Sequence, residues 1–148
     1  QLGITKGDRN EAVQAGAHAL FFPHGLGHMI GLDVHDLENL GEDNVGYDET
    51  ISRSKQFGLR SLRMAKKLEI GHVVTVEPGI YFIPELIALW KNEQKFSEFI
   101  NYQTLESYLD FGGIRIEDDY VVVAGGSKKL GDVNLPKEIG DVESVLSM

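Results

Sequence analysis

Three of the chain's five histidines and two aspartates fall within thirteen residues, His24-Gly25-Leu26-Gly27-His28-Met29-Ile30-Gly31-Leu32-Asp33-Val34-His35-Asp36. Whatever fold forms must give these polar groups partners and must tolerate three glycines among them. Two histidines four apart would suit the zinc helix H-E-x-x-H, but the spacer holds two glycines and no glutamate. Each Gly weakens a helix interior by roughly 1 kcal/mol relative to Ala, so an extended chain is expected instead. At period two, His24, Leu26 and His28 share one face, and the glycines let another backbone or a ligand approach closely. His35 lies an odd number of residues beyond His28, so a bend near Gly31 is needed to bring it back. The plain alternative is a polar loop holding three histidines; the density of imidazole and carboxylate favours a site.

Composition narrows the chemistry. The 148 residues suffice for one domain with a core. A net charge of −9 argues against a nucleic-acid groove or an anionic membrane surface as partner. There is no cysteine, so any metal must be held by His, Asp and Glu. No apolar run approaches the ~20 residues needed to span a bilayer, and Ala15–Phe22 lacks a basic leader, so a cytoplasmic setting is expected. The first residue is Gln1 and the start reads as mid-loop, which suggests a piece of a longer protein.

Along the chain, Asp8 or Asn10 caps an expected helix over Glu11–Leu20, with Ala12, Ala15, Ala19 and Leu20 inward and His18 on its surface. Pro23 ends it. Residues Glu38–Ser54 read as a long polar loop, and Phe57–Leu68 as a short basic helix or ordered turn. His72 reads as a turn residue before Val73-Val74-Thr75-Val76-Glu77-Pro78-Gly79-Ile80-Tyr81-Phe82-Ile83, a strand broken by Pro-Gly. Glu77 is the odd residue there, because carboxylates are seldom buried unless paired or bound to metal. A helix with Pro84 first is expected to Trp90, then a helical insertion over Phe96–Asp110 packing beside the site. In Phe111–Val123, alternation puts Arg115 and Glu117 on one face, expected inward as a buried structural salt bridge or equally as a metal carboxylate with a cation beside it, and Ile114 and Ile116 on the other. Asp118 and Asp119 read as a solvated turn or as making a backbone bond. Pro136 opens an expected terminal helix with Ile139, Val142, Val145 and Leu146 as its apolar side.

His28, Glu77 and Glu117 are thus three candidate ligands far apart in sequence. One imidazole with carboxylates is a hard, oxygen-rich set suited to Mn²⁺, with Fe²⁺ or Co²⁺ as alternatives and zinc less specifically. Two inward glutamates invite a two-metal site, in which carboxylates bridge the ions. His24 and His35 would then act on the substrate side, and Arg115 would hold a neighbouring carboxylate.

These stretches resemble a known family. His24-Gly25-Leu26-Gly27-His28 with Leu32-Asp33-Val34-His35-Asp36, then Val76-Glu77-Pro78-Gly79-Ile80-Tyr81, then Gly113-Ile114-Arg115-Ile116-Glu117-Asp118-Asp119, look like the three downstream signatures of peptidase family M24. Within it they are most similar to the Xaa-Pro peptidases, prolidase and aminopeptidase P. The resemblance implies an α+β pita-bread (creatinase/aminopeptidase) fold, a curved and mainly antiparallel sheet with flanking helices, of which only the second half is present. Residues 1–21 would be a helix from the preceding half, 22–125 the core of the metal site and 126–148 a C-terminal tail. It implies two divalent ions, with Mn²⁺ expected and Co²⁺, Fe²⁺ or Zn²⁺ as alternatives. By motif position His28, Glu77 and Glu117 match metal ligands; His24 and His35 match substrate-side histidines, and Arg115 the arginine beside the site. In the family the Glu matched by Glu77 accepts a proton and the His matched by His35 stabilises the developing oxyanion. A proline-containing di- or oligopeptide substrate and a homodimer are implied.

Two departures bear on this. The family's upstream Asp pair has no match, since only Asp8 precedes the histidine motif, so the chain alone is expected to be inactive. Leu109 and Asp110 stand where prolidases carry an arginine for the substrate carboxylate, although Gly58-Leu59-Arg60-Ser61-Leu62-Arg63 is prolidase-like. Two other readings compete: a non-catalytic pita-bread module that binds peptides or proteins, and a mononuclear hydrolase with His24 and His28 as joint ligands.

Overall fold

The valine-rich run forms strand β1 (Val73–Val76), and Glu77-Pro78 separates it from β2 (Gly79–Tyr81). The computed structural model describes residues 2–133 and 135–148. In it β2 pairs antiparallel with β3 (Gly113–Arg115), Gly79 lying opposite Arg115, while β1 pairs with β4 (Asp118–Val123), Val74 opposite Tyr120. A fifth strand, β5 (Gly126–Lys129), extends the larger sheet to the order β1-β4-β5. Both chains of this long pair are interrupted at the same level. Proline has no N–H for a ladder, and the Pro78 carbonyl instead accepts from the Ile116 N–H at 3.1 Å. Glu77 and Glu117 therefore both stand at the break between the two sheets.

The histidine stretch is extended, as expected, and lies along the open side of β1. The Glu77 N–H donates to the Leu26 carbonyl (2.7 Å), Thr75 to His28 (3.0 Å) and Ile30 to Val73 (3.0 Å). Gly27 makes this approach possible. A Cβ placed there would lie 3.0 Å from the Thr75 carbonyl carbon and nearer still to its oxygen. The shared face expected for His24, Leu26 and His28 does not hold. The backbone bends at His24 and at Leu26, so Leu26 is 56% exposed while His28 is 5% exposed.

Helix α1 (Arg9–Ala15) is capped by Asp8, whose carboxylate accepts from the Asn10 and Glu11 N–H groups at 2.9 and 3.0 Å. It stops sooner than the sequence pattern suggests. Gly16 turns left-handed (φ 93°) and a tighter 3₁₀ turn over Ala17–Leu20 follows, so Ala17, Ala19 and Leu20, not Ala15, enter the core. The expected loop over residues 38–54 contains a short helix, α2 (Glu42–Gly46). The basic stretch from Phe57 is an ordered turn.

Helix α3 (Pro84–Asn92) begins at its proline as expected and buries Ile87 and Trp90. The segment after it is not one helix. Gln94 and Phe96 have left-handed backbones (φ 52° each), and only α4 (Tyr102–Leu105) and a 3₁₀ turn over Glu106–Tyr108 are helical. Nor is the segment an insertion beside the site. Ile100 and Leu105 are fully buried with Leu20, Phe82, Ile87 and Trp90 in the main core. That core packs against Ile80 of β2.

Asp118 belongs to β4 and not to a solvated turn; its carboxylate pairs with Lys137 and with Lys129 (3.0 Å), which lower its pKa from the ordinary carboxylate value. The last helix, α5 (Ile139–Leu146), starts three residues after Pro136, and Ile139, Val145 and Leu146 are exposed on it. Among the described residues no helix is long and apolar enough to cross a membrane.

Candidate functional site

Alternation along β1 directs Thr75 and Glu77 to the same side, toward the histidine stretch. Thr75 is 3% and Glu77 7% exposed, so both polar side chains need partners inside the protein. They find them in each other and in His28. The Thr75 hydroxyl accepts from the His28 N–H at 3.0 Å and donates to Glu77 Oε1 at 3.0 Å. His28 Nε2 then stands 3.3 Å from the same Oε1. On the far side, Arg115 Nη1 donates to Glu77 Oε2 at 2.8 Å, from β3 across the strand pair.

The protons on His28 decide what this pair is suited to hold. Its Nδ1 lies 2.9 Å from the Met29 carbonyl, which can only accept, so Nδ1 carries the hydrogen. A neutral ring then turns a lone pair at Nε2 toward a carboxylate oxygen. Two acceptors facing each other need a cation between them, either a shared proton or a metal ion. Donation of the other ring N–H to a backbone carbonyl is also the usual arrangement behind a metal-binding histidine. The donor chemistry of His28 and Glu77 therefore fits a hard divalent ion.

Glu117 is less confined. Its side chain is 42% exposed and it lies 3.6 Å from Arg115 Nε, itself 42% exposed. The inward face expected for Arg115 and Glu117 is thus corrected. Ile114 and Ile116 are exposed as well, so β3 and the turn after it are open on both sides. Arg115 reaches in only through its guanidinium. Among the described residues no group of three or more His, Asp or Glu converges to hold a metal ion.

The bend after Gly31 does return His35, whose ring meets that of His28 edge to face with centroids 4.6 Å apart. His35 Nδ1 lies 3.2 Å from Glu38 Oε2, and Arg63 pairs with Glu38 (2.6 Å) and with Glu42. Arg63 and then His35 hold the Glu38 carboxyl below its usual range. His24 turns elsewhere, against the rings of Phe22 (4.2 Å) and Tyr81 (5.4 Å). Its Nδ1 is 2.7 Å from the Gly25 carbonyl, and its Nε2 is buried without a protein partner. An acceptor held dry against two aromatic rings is suited to a donor brought by a ligand.

Sequence reasoning passed over Thr75, Glu38 and the bridging position of Arg63. Thr75 was legible, since it sits two residues from Glu77 in a strand and so shares its face. Glu38 and Arg63 are twenty-five residues apart in irregular chain, where no periodicity relates them.

Comparison with known proteins finds relatives along almost the whole chain. The chain is 41% identical over 146 residues to Xaa-Pro dipeptidase of Homo sapiens, covering 99% of this chain and 28% of that protein. It is 38% identical over 146 residues to a probable Xaa-Pro aminopeptidase of Sordaria macrospora, covering 99% of this chain and 29% of the relative. The chain thus spans less than a third of the length of these relatives. Among solved structures it resembles proline aminopeptidase P II from Yersinia pestis, with a TM-score of 0.62 and 34% identity over 99% of this chain and 25% of the other. Aminopeptidase P from E. coli in its low-pH form gives a TM-score of 0.58 at 34% identity, over 99% of this chain and 24% of that one. The fold is accordingly the α+β pita-bread architecture, of which this chain makes up about a quarter of those neighbours. The family model for metallopeptidase family M24 matches residues 2–124, a span that contains every side chain of the site, and the chain belongs to that family.

Proposed function

We propose that this chain furnishes part of the active site of an Xaa-Pro peptidase, a hydrolase that cleaves the peptide bond preceding proline. The observation that carries the proposal is the meeting of His28 Nε2 and Glu77 Oε1, both buried and 3.3 Å apart, at a break in the sheet with Arg115 on the opposite carboxylate oxygen. His28, Glu77 and Glu117 would hold divalent metal, Mn²⁺ being best suited to this set of oxygens and one imidazole. When bound, such ions polarise a carbonyl and lower the pKa of water. The remaining ligands would come from outside the described residues, among which no group of three or more His, Asp or Glu converges.

The chain's own residues have distinct tasks. Arg115 neutralises and orients Glu77, leaving Oε1 directed at His28. Glu77 is placed to accept a proton at Oε1. His24 and His35 line the substrate side, one against Tyr81 and the other against His28. Arg63, beside His35, is a cation available to a peptide carboxylate if it exchanges a partner with Glu38 or Glu42.

A non-catalytic, peptide-binding module is the second reading, favoured by the exposure of Glu117 and the engagement of Glu77 by Arg115. The full-length protein, supplied with Mn²⁺ and assayed on Xaa-Pro against Xaa-Ala dipeptides, distinguishes the two. Cleavage of Xaa-Pro that Glu77→Gln abolishes is the expected result. Absence of cleavage above blank in metal-replete protein would leave the binding module as the better account.

A further inference from the structure

Arg63 is the cation that the peptidase reading offers to a peptide carboxylate, but both ends of its guanidinium are taken. Nη2 holds Glu38 at 2.6 Å and Nη1 holds Glu42. A substrate carboxylate must displace one of them, and the two are not alike. Glu38 is exposed, and apart from the His35 imidazole Arg63 is the basic group that reaches it among the described residues. Glu42, whose side chain is 19% exposed, has one oxygen on each of two arginines: Oε1 on Arg63, and Oε2 on Arg53 Nη2 at 3.1 Å. Arg53 is itself fixed by groups that do not move with the Arg63 side chain. Its Nη1 donates to the Leu62 carbonyl at 2.7 Å and to the Arg60 carbonyl at 3.3 Å, and its Nε to Asp43 Oδ1 at 3.1 Å. The guanidinium also lies over the Tyr47 ring, 4.9 Å from its centre, and the Tyr47 hydroxyl donates to the same Leu62 carbonyl at 2.7 Å.

We propose, on the reading that Arg63 meets a substrate carboxylate, that Arg53 is a positioning residue: it keeps Glu42 paired and so frees Arg63 Nη1 for the carboxylate of a short peptide. A carboxylate as little exposed as Glu42 is costly to leave without a cation. With Arg53 anchored beside it, that cost does not arise when Arg63 lets go. Glu38 keeps Nη2 meanwhile, so the guanidinium pivots on a held end. Glu42, Val45 and Arg63 line one small cavity with His28 and His35, so the freed Nη1 is already on the substrate side. Without Arg53, Glu42 would be left with Arg63 as its cation and would compete with the substrate for it.

The test is titration calorimetry of the full-length protein stripped of metal, so that peptide binds without being cleaved, with Ala-Pro and Ala-Pro amide as probes. The wild type should prefer the acid by the roughly 10–150-fold that a charge-assisted bond confers. Arg53→Met should lose most of that preference by weakening the acid alone. Glu42→Gln on the same background should restore it, because a neutral amide competes weakly for Arg63. A merely structural role for Arg53 would weaken both probes and would not be repaired at position 42. Arg53→Met also removes the donor to the Arg60 and Leu62 carbonyls, so Glu42→Gln alone gives a second reading that leaves those bonds in place. It should bind the acid at least as well as wild type. Equal loss on both probes, failure of the double variant to recover, or a lost acid preference in Glu42→Gln alone overturns the proposal. A wild type that does not distinguish the probes overturns it together with the role of Arg63, whereas the other outcomes leave that role standing. None of these readings depends on turnover, so a failed peptidase assay would not mimic them.

Discussion

Replacing Gly27 by alanine should break the site without substituting any of its polar side chains. The added Cβ would sit 3.0 Å from the Thr75 carbonyl carbon and closer to its oxygen, against the ~3.5–4.0 Å that carbon contacts prefer. Both partners are backbone in a paired ladder, so neither can rotate away. Relief requires the histidine stretch to lift from β1 by roughly 1 Å, which takes hydrogen bonds now at 2.7 and 3.0 Å to the edge of the ~3.6 Å limit or past it. The Glu77-to-Leu26 and Thr75-to-His28 bonds are the nearest, and the His28-to-Thr75 hydroxyl bond moves with them. Overpacking of about 1–3 kcal/mol, plus two or three buried bonds at about 1 kcal/mol each, gives a loss of roughly 3–6 kcal/mol. Urea unfolding of the full-length protein measures it. Gly140→Ala is the control, because a Cβ there meets nothing within 4 Å and lies in α5, where alanine is neutral or mildly stabilising. If Gly27→Ala unfolds within ~0.5 kcal/mol of wild type, the close strand approach described above is wrong.

Thr75→Val keeps shape but removes the hydroxyl shared by His28 and Glu77, and should weaken Mn²⁺ binding by roughly 10–100-fold in titration calorimetry, while Thr75→Ser restores it. Equal affinity for all three proteins would show that the hydroxyl does not orient the ligands. Burial pushes the Tyr102 phenol up to about 12 from its ordinary 10.0, so its stabilising effect is intact below pH 10 and is lost as pH rises toward 12. Alkaline unfolding curves of Tyr102→Phe should be flatter than wild type across that window; parallel curves would remove Tyr102 as a cause. Arg63→Ala should lower kcat/KM for Xaa-Pro with a free carboxylate by roughly 10–150-fold, corresponding to a charge-assisted bond of ~1.5–3 kcal/mol, and should spare Xaa-Pro amides. Equal losses on both substrates would mean that Arg63 acts only through Glu38 and His35.

Much of the site was readable from local pattern because its parts obey strong local rules. Consecutive β-branched residues make β1, proline ends it, and a glutamate two places from a buried threonine must share its side. The return of His35 was readable from parity and a glycine. The inward placement of Arg115 and Glu117 was not, because alternation states that two side chains share a face but not what covers that face. In this chain β3 has Ile114 exposed on one side and Arg115 half-exposed on the other. The α1 boundary was misplaced because the expected helix over Glu11–Leu20 runs through Gly16, which is instead the left-handed end of a shorter one. Likewise the aromatic spacing of residues 96–109 imitates a helix. Left-handed backbones at Gln94 and Phe96 instead fold those side chains onto Trp90 and into the core, a tertiary demand that no period reveals.

The central claim is that His28, Glu77 and Glu117 are metal ligands supplied by this chain to a larger active site. Metal content per protein, measured by elemental analysis after Mn²⁺ reconstitution and gel filtration of the full-length protein, tests it most directly. The proposal predicts about two ions in the wild type, as for a dinuclear hydrolase. Glu77→Ala should lose most of that metal, because it removes the carboxylate that stands 3.3 Å from His28 Nε2. A Glu77→Ala protein that keeps the wild-type metal content would contradict the account.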